Sequence, residues 1–215
     1  MTTRLLIADD FPLFRKGVRE FLESQKDYEV IGEAATGREA LNKAKHLKPH
    51  VVILDIGMPE LNGLDATREI LKAIPGTEVI ILSLHESEDL VHQVLEAGAR
   101  GYVLKSDAES TLLEAVEAVR HHRAFFASKI AAMVLEAYLK GGKHVRGEKA
   151  HRLTSRERQI VQLLAEGKSN KEVASALGIS LHTAVTHRSN IMRKLEVHSV
   201  SKLVRYAIRN NLANV

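Results

Sequence analysis

Cysteine is absent from this 215-residue chain, and so is tryptophan. Without cysteine no disulfide framework, thiolate metal site or thiol nucleophile can be built. No apolar run approaches the ~18 residues of a membrane span, and Met1-Thr2-Thr3-Arg4 leads straight into a strand-like segment rather than a leader. The eleven histidines, His121-His122 included, lack metal-ligand spacing and read as scattered surface residues. What is left is an ordinary globular composition, 45% hydrophobic and 27% charged, with the cytoplasm as its expected location.

The net charge of +4 is unevenly spread. Residues 1–125 hold 15 Lys/Arg against 21 Asp/Glu, residues 126–151 hold 5 against 2, and residues 152–215 hold 11 against 4. An acidic front and a basic back (net −6, +3 and +7 along the chain) suggest two modules, the second a candidate for nucleic acid. Expected boundaries are 1–123 for the first domain, 124–151 for a helix and flexible linker, and 152–215 for the second domain.

The front alternates strand-like and helix-like segments. Strands are expected near 4–8, 28–33, 51–54, 78–83 and 101–104; amphipathic helices near 13–24, 37–47, 63–73, 88–97 and 108–121. Thr36 with Glu39 makes a capping box and Asp107 is placed to cap the fifth helix. Five β-α repeats imply an α/β fold, a flavodoxin-like doubly wound (βα)5 sheet in the order 2-1-3-4-5. A further helix is expected over 125–139, then a basic linker over 141–151 opened by Gly141-Gly142. Beyond Leu153 the pattern is all-α, with capping boxes at Thr154/Glu157 and Ser169/Glu172. The turn Leu177-Gly178-Ile179-Ser180 between two helices marks a helix-turn-helix.

Three of the apolar runs end on charge: Leu5–Ala8 on Asp9-Asp10, Val51–Leu54 on Asp55, and Tyr102–Leu104 on Lys105. Ligands of open α/β sheets bind beyond the carboxyl ends of the strands, so these groups describe a site. Three carboxylates cannot share a small volume without a counter-charge, and a hard cation such as Mg2+ is the simplest one. Asp10 and Asp55 are the expected direct ligands with the Gly57 carbonyl near, and Asp9 acts through water. The Asp55 carboxylate is exposed for in-line attack on a phosphoryl group, with Mg2+, Lys105 and the Ser83 hydroxyl to neutralise its oxygens.

With Ile56-Gly57-Met58-Pro59, Asn62-Gly63, Ser83 and Gly101–Lys105 at these spacings, residues 1–122 resemble the receiver domain of two-component response regulators. The resemblance implies that Asp55 accepts phosphate from a sensor histidine kinase and that Asp9 and Asp10 hold Mg2+. It also implies that Ser83 swings toward the phosphoryl group, that Lys105 pairs with it, and that Tyr102 is the switch aromatic turning inward with Ser83. Phe11 and Ser106 depart from the family's usual residues and bear on self-dephosphorylation. The chain is then no ordinary enzyme, though it is expected to catalyse its own phosphorylation and dephosphorylation.

In the third helix of the basic module, Ala184, Ile191 and Leu195 make an inner stripe with His187 and Arg188 beside it. His182, Thr186, Ser189 and Arg193 face outward, flanked by Val185 and Asn190. Residues 152–214 resemble the LuxR-type helix-turn-helix through Leu153–Glu157, Leu163–Ala174, Ser180, Thr183, His187-Arg188 and Ile191–Leu195. Together the two modules resemble the NarL/FixJ class of transcription factor. On that resemblance, positions 185, 186 and 189 face base edges, so Val185, Thr186 and Ser189 are the expected readers of duplex DNA. Val185 stands where the family commonly has Lys or Glu, and Thr183 belongs to the same surface. Lys168, Lys171, Arg188, Arg193 and Lys194 are assigned to phosphates; Arg188 alternatively packs its stem on the core edge. A homodimer on activation suits a two-fold operator. Three rivals stand beside this reading. One is a Mg2+-dependent phosphohydrolase, disfavoured by Gly57 where an acid/base carboxylate is needed. The others are a ligand-sensing regulator and a receiver that works without phosphorylation.

Overall fold

The computed structural model describes residues 2–127, 130–132 and 153–213, which form two compact units. The first unit runs β1 (Thr3–Ala8), α1 (Pro12–Glu23), β2 (Tyr28–Ala34), α2 (Gly37–Leu47), β3 (Val51–Asp55), α3 (Gly63–Ala73), β4 (Glu78–Ser83), α4 (Glu88–Ala97), β5 (Gly101–Leu104), a single 3-10 turn (Lys105–Asp107), α5 (Ala108–Arg120) and β6 (Phe125–Phe126). The sheet is parallel in the order β2-β1-β3-β4-β5-β6, the doubly wound class expected from the repeats.

Val, Ile and Leu dominate β1, β3 and β4 because both faces of a parallel sheet are covered by helices. Leu5, Ile7, Ile53, Ile80, Leu82 and Val103 meet Val18 and Leu22 of α1 and Leu112, Val116 and Val119 of α5 in one core. Register then places the site. Ala8 pairs with Leu54, Asp55 with Leu82 and Ser83 with Leu104, so the last residues of these strands and those just after them open at the carboxyl end of the sheet.

Two local expectations differ from the structure. Phe125 and Phe126 are a short edge strand beside β5, not the start of a helix. The Phe125 N–H donates to the Arg100 carbonyl at 2.8 Å, a long-range bond that outweighs local pattern. Of the helix expected over 125–139, residues 130–132 are helical; the rest beyond 127, and the linker 141–151, lie outside the described residues. Asp107 precedes α5 but makes no side-chain cap. Its carboxylate accepts from the Ser106 hydroxyl at 2.9 Å, while its backbone carbonyl accepts from Ser110 and Thr111.

Among the described residues the second unit holds four helices, α6 (Ser155–Ala165), α7 (Asn170–Leu177), α8 (Leu181–Lys194) and α9 (Val200–Arg209). Both expected capping boxes are present. Gly178 closes α7 in the left-handed conformation at φ 62°, and Ser180 caps α8 by accepting from the Thr183 N–H. Ile160, Leu164, Val173, Ala184, Ile191, Leu203 and Ala207 form its core.

Candidate functional site

The carboxyl ends of β1, β3 and β5 bring Asp9, Asp10, Asp55 and Lys105 together. Donor oxygens of the three aspartates lie within 4.8 Å of one another. Asp9 is fully buried, Asp55 is 6% exposed, and Asp10 is exposed at the mouth. Lys105 Nζ stands 2.7 Å from Asp9 Oδ2 and 3.0 Å from Asp55 Oδ1. The Gly57 N–H donates to Asp55 Oδ2 at 3.1 Å, and the Phe11 N–H donates to Asp9 Oδ1 at 2.9 Å. Asp9 Oδ2 has no aligned hydrogen bond, so the nearby ammonium is its compensation.

Burial raises the Asp55 carboxyl above its ordinary value; Asp9 and Asp10 add to the rise while Lys105 opposes it. Burial alone would lower the Lys105 ammonium, but Asp55 and Asp9 outweigh it and the net shift is upward. Three hard oxygen donors, one of them lacking an aligned hydrogen bond, fit a divalent cation of the Mg2+ type.

A stability consequence follows with a definite sign. A carboxyl whose pKa is higher folded than unfolded costs nothing below the unfolded value. The cost grows as pH rises and is complete above the folded value. Asp55→Asn is therefore expected to unfold at higher urea than the parent in mildly alkaline buffer without metal. The advantage should vanish as pH falls through the carboxylate range. Equal urea midpoints throughout would show that Asp55 is not strained by its charge.

Two groups at this crevice carried no signal in the sequence. Phe14, on the first turn of α1, places its ring centroid 4.8 Å from Lys105 Nζ, a cation–π contact worth about 0.5–1 kcal/mol. Arg15 donates to the Asp9 carbonyl at 2.6 Å and pairs with Glu33 at 3.0 Å, bracing the loop from behind. Both sit in an amphipathic helix pattern that marks them only as surface or core.

Ser83 and Tyr102 meet at His85. Ser83 Oγ donates to the His85 carbonyl at 3.1 Å and accepts from its N–H at 3.0 Å. The Tyr102 hydroxyl donates to the same carbonyl, and its ring is fully buried. Burial raises the Tyr102 phenol, keeping it a donor. The Tyr102 ring lies inward, and its hydroxyl is joined to that of Ser83 through one carbonyl.

In the basic unit, α8 presents Val185, Thr186, Ser189 and Arg193 to solvent, and Lys168 and Lys171 are exposed on and before α7. Thr183 is half-buried and its hydroxyl bonds that of Ser180 at 2.8 Å. Arg188 is half-buried with Nη1 donating to Asn170 Oδ1 at 3.3 Å, a position at the core edge. Lys194 pairs with Glu157 at 2.8 Å, which commits it within the domain and ties the end of α8 to the start of α6.

An acidic crevice at strand ends, a serine hydroxyl and a buried aromatic sharing one carbonyl, and a capped helix-turn-helix in a basic unit together define a signal-receiving regulator with a nucleic-acid module. Residues 5–117 match the response regulator receiver domain, and residues 151–207 match the bacterial regulatory proteins of the luxR family. The chain belongs to the LuxR family of two-component response regulators: it is a DNA-binding transcriptional response regulator. It is 37% identical to the transcriptional regulatory protein LiaR of Bacillus subtilis over 98% of this chain and 99% of that one. It is 36% identical to the response regulator protein VraR of Staphylococcus aureus over 99% of both. Among solved structures it resembles RcsB from Salmonella enterica serovar Typhimurium bound to promoter rprA in the presence of phosphomimetic BeF3-. That likeness has TM-score 0.62 and 28% identity, covering 96% of this chain and 98% of that one.

Proposed function

We propose that Asp55 is the phosphoacceptor of this regulator, within a receiver spanning residues 1–123, and that its phosphorylation controls dimerisation and DNA binding by residues 152–215. The observation that carries this reading is the convergence of Asp9, Asp10 and Asp55 on one volume with Lys105 between two of them. A carboxylate oxygen of Asp55 attacks the phosphorus of a phosphohistidine on a sensor kinase; the P–N bond breaks and the imidazole leaves as the neutral base after taking a proton. Asp9, Asp10, Asp55 and the Gly57 carbonyl would hold Mg2+, which supplies charge neutralisation of the phosphoryl oxygens when bound. Lys105 answers the remaining charge, and the Ser83 hydroxyl turns from His85 to a phosphoryl oxygen. The His85 carbonyl then loses one of its two donors, which biases the loop holding Tyr102.

At the other end, Lys168, Lys171, Arg188, Arg193 and Lys194 supply phosphate contacts while Thr183, Val185, Thr186 and Ser189 lie toward the bases. Lys194 keeps its pair with Glu157 in the free protein, so its share is smaller than that of exposed Lys168 and Lys171. A dimer matches a two-fold operator, and a cytoplasmic location suits both partners. The test is phosphorylation of the full chain by acetyl phosphate with Mg2+, read by intact mass. The parent gains the mass of one phosphoryl group, and Asp55→Asn, folded by circular dichroism, gains none. Undiminished phosphorylation of that variant overturns the assignment.

A further inference from the structure

Leu181, the first residue of α8, is 51% exposed, and Val185 one turn later is 41% exposed. Four residues at about 100° each place them about 40° apart on the helix, so they form one apolar ridge. It continues to Ser189. Single exposed apolar residues need no explanation, but this pair leads the helix whose N-terminal residues reach base edges in a helix-turn-helix.

The hydroxyls around the ridge are already committed. The Thr186 hydroxyl donates to the His182 carbonyl at 2.9 Å, so its donor is spent on its own helix. Thr183 Oγ1 shares a hydrogen bond with Ser180 Oγ in the N-cap. What the leading turns offer a major groove is therefore mostly hydrocarbon, with the His182 ring and the Ser189 hydroxyl beside it. The surrounding segment, residues 152–215, carries a net +7 (11 Lys/Arg less 4 Asp/Glu), which favours a polyanion over an apolar protein partner. In the major groove the only apolar group that distinguishes bases is the C5-methyl of thymine.

We infer that Leu181 and Val185 form a thymine-methyl reader, with Leu181 a specificity-determining residue beyond the base-facing positions already assigned. This rests on the DNA-binding reading above. Contact buries one methyl per base, and losing it is expected to weaken binding about fourfold at each contacted position.

The experiment starts from duplexes selected by the full-length protein, with beryllofluoride, from a random pool. Each thymine of the enriched half-site is replaced by uracil, which removes the methyl and keeps every hydrogen-bonding group, and affinity is read by fluorescence anisotropy. The parent is expected to lose about fourfold at one or two thymines per half-site. Leu181→Ala and Val185→Ala should each bind the thymine and uracil versions of one such position alike. Because both side chains are exposed, the variants keep their fold, checked by thermal unfolding. Enriched sites with no uracil penalty in the parent overturn the inference while leaving DNA binding intact. So does a penalty that survives both substitutions, or a change in solution mass with Leu181→Ala, which marks the ridge as a protein contact. Failure to enrich any sequence overturns the DNA-binding reading and this one with it.

Discussion

Lys105→Met is expected to cost the receiver unit about 3 kcal/mol of stability, the lower end of the range for removing one partner of a buried ion pair. Two features make Lys105 the pivot of the crevice. Its ammonium is the cation within ion-pair distance of both Asp9 and Asp55, and its side chain is 9% exposed. The loss lies at the low end because the mouth beside Asp10 is open to water. Methionine keeps most of the length and bulk of the lysine side chain, so packing is largely preserved and the charge is what changes. Two carboxylates are then left facing each other, and the Asp55 pKa, already raised by burial, moves further up. The stability deficit is accordingly smallest in acid, where those carboxyls take up protons, and grows as pH rises through their range. Mg2+ should recover part of it in alkaline buffer, because a bound divalent cation replaces the missing charge. Urea unfolding in acid and alkaline buffer, with and without Mg2+, measures all three effects. A deficit independent of both pH and Mg2+ would mean that Lys105 acts by packing alone.

How much of this was legible beforehand depends on whether a residue's role is local. Strand ends are local: an apolar run closing on a charge needs no knowledge of the rest of the chain, and Asp9, Asp10, Asp55 and Lys105 do converge. Helix caps at Thr154 and Ser169 are local in the same sense and appear as expected. What the sequence left unread is mostly tertiary. Phe125-Phe126 looks like the start of an apolar helix until the Arg100 carbonyl claims the Phe125 N–H. Asp107 has cap chemistry, but a 3-10 turn immediately before α5 aims its carboxylate at Ser106 instead. Lys194 reads as one more cation in a basic helix, and only the fold brings Glu157, 37 residues earlier, within 2.8 Å of it. His85 was invisible because it acts through its backbone, joining Ser83 to Tyr102 by a carbonyl any residue would carry.

Gly63→Ala is the other substitution expected to have a large effect, and it acts on both stability and chemistry. The Gly63 N–H donates to the Ile56 carbonyl at 2.9 Å, which draws the start of α3 against the end of β3. A Cβ at this position would stand 2.1 Å from the Asp55 carbonyl oxygen and 2.9 Å from its carbonyl carbon. Both are backbone atoms, so no side-chain rotation relieves the clash. Either α3 or the Asp55 backbone must shift. Overpacking of this kind costs on the order of 1–3 kcal/mol, offset by about 0.4–1 kcal/mol from the reduced freedom of the unfolded chain. The displaced residue is the proposed phosphoacceptor itself. A misplacement of about 1 Å can slow a reaction by on the order of a hundredfold, so phosphorylation by acetyl phosphate should fall far more than the modest stability loss explains. Gly17→Ala is the matched control: it lies within α1 with nothing within 4 Å of the added carbon. There the helix gains about 0.5–1 kcal/mol and the phosphorylation rate stays at the parent value. If Gly63→Ala behaves like Gly17→Ala in both urea midpoint and rate, the close approach of α3 to Asp55 does not constrain the site.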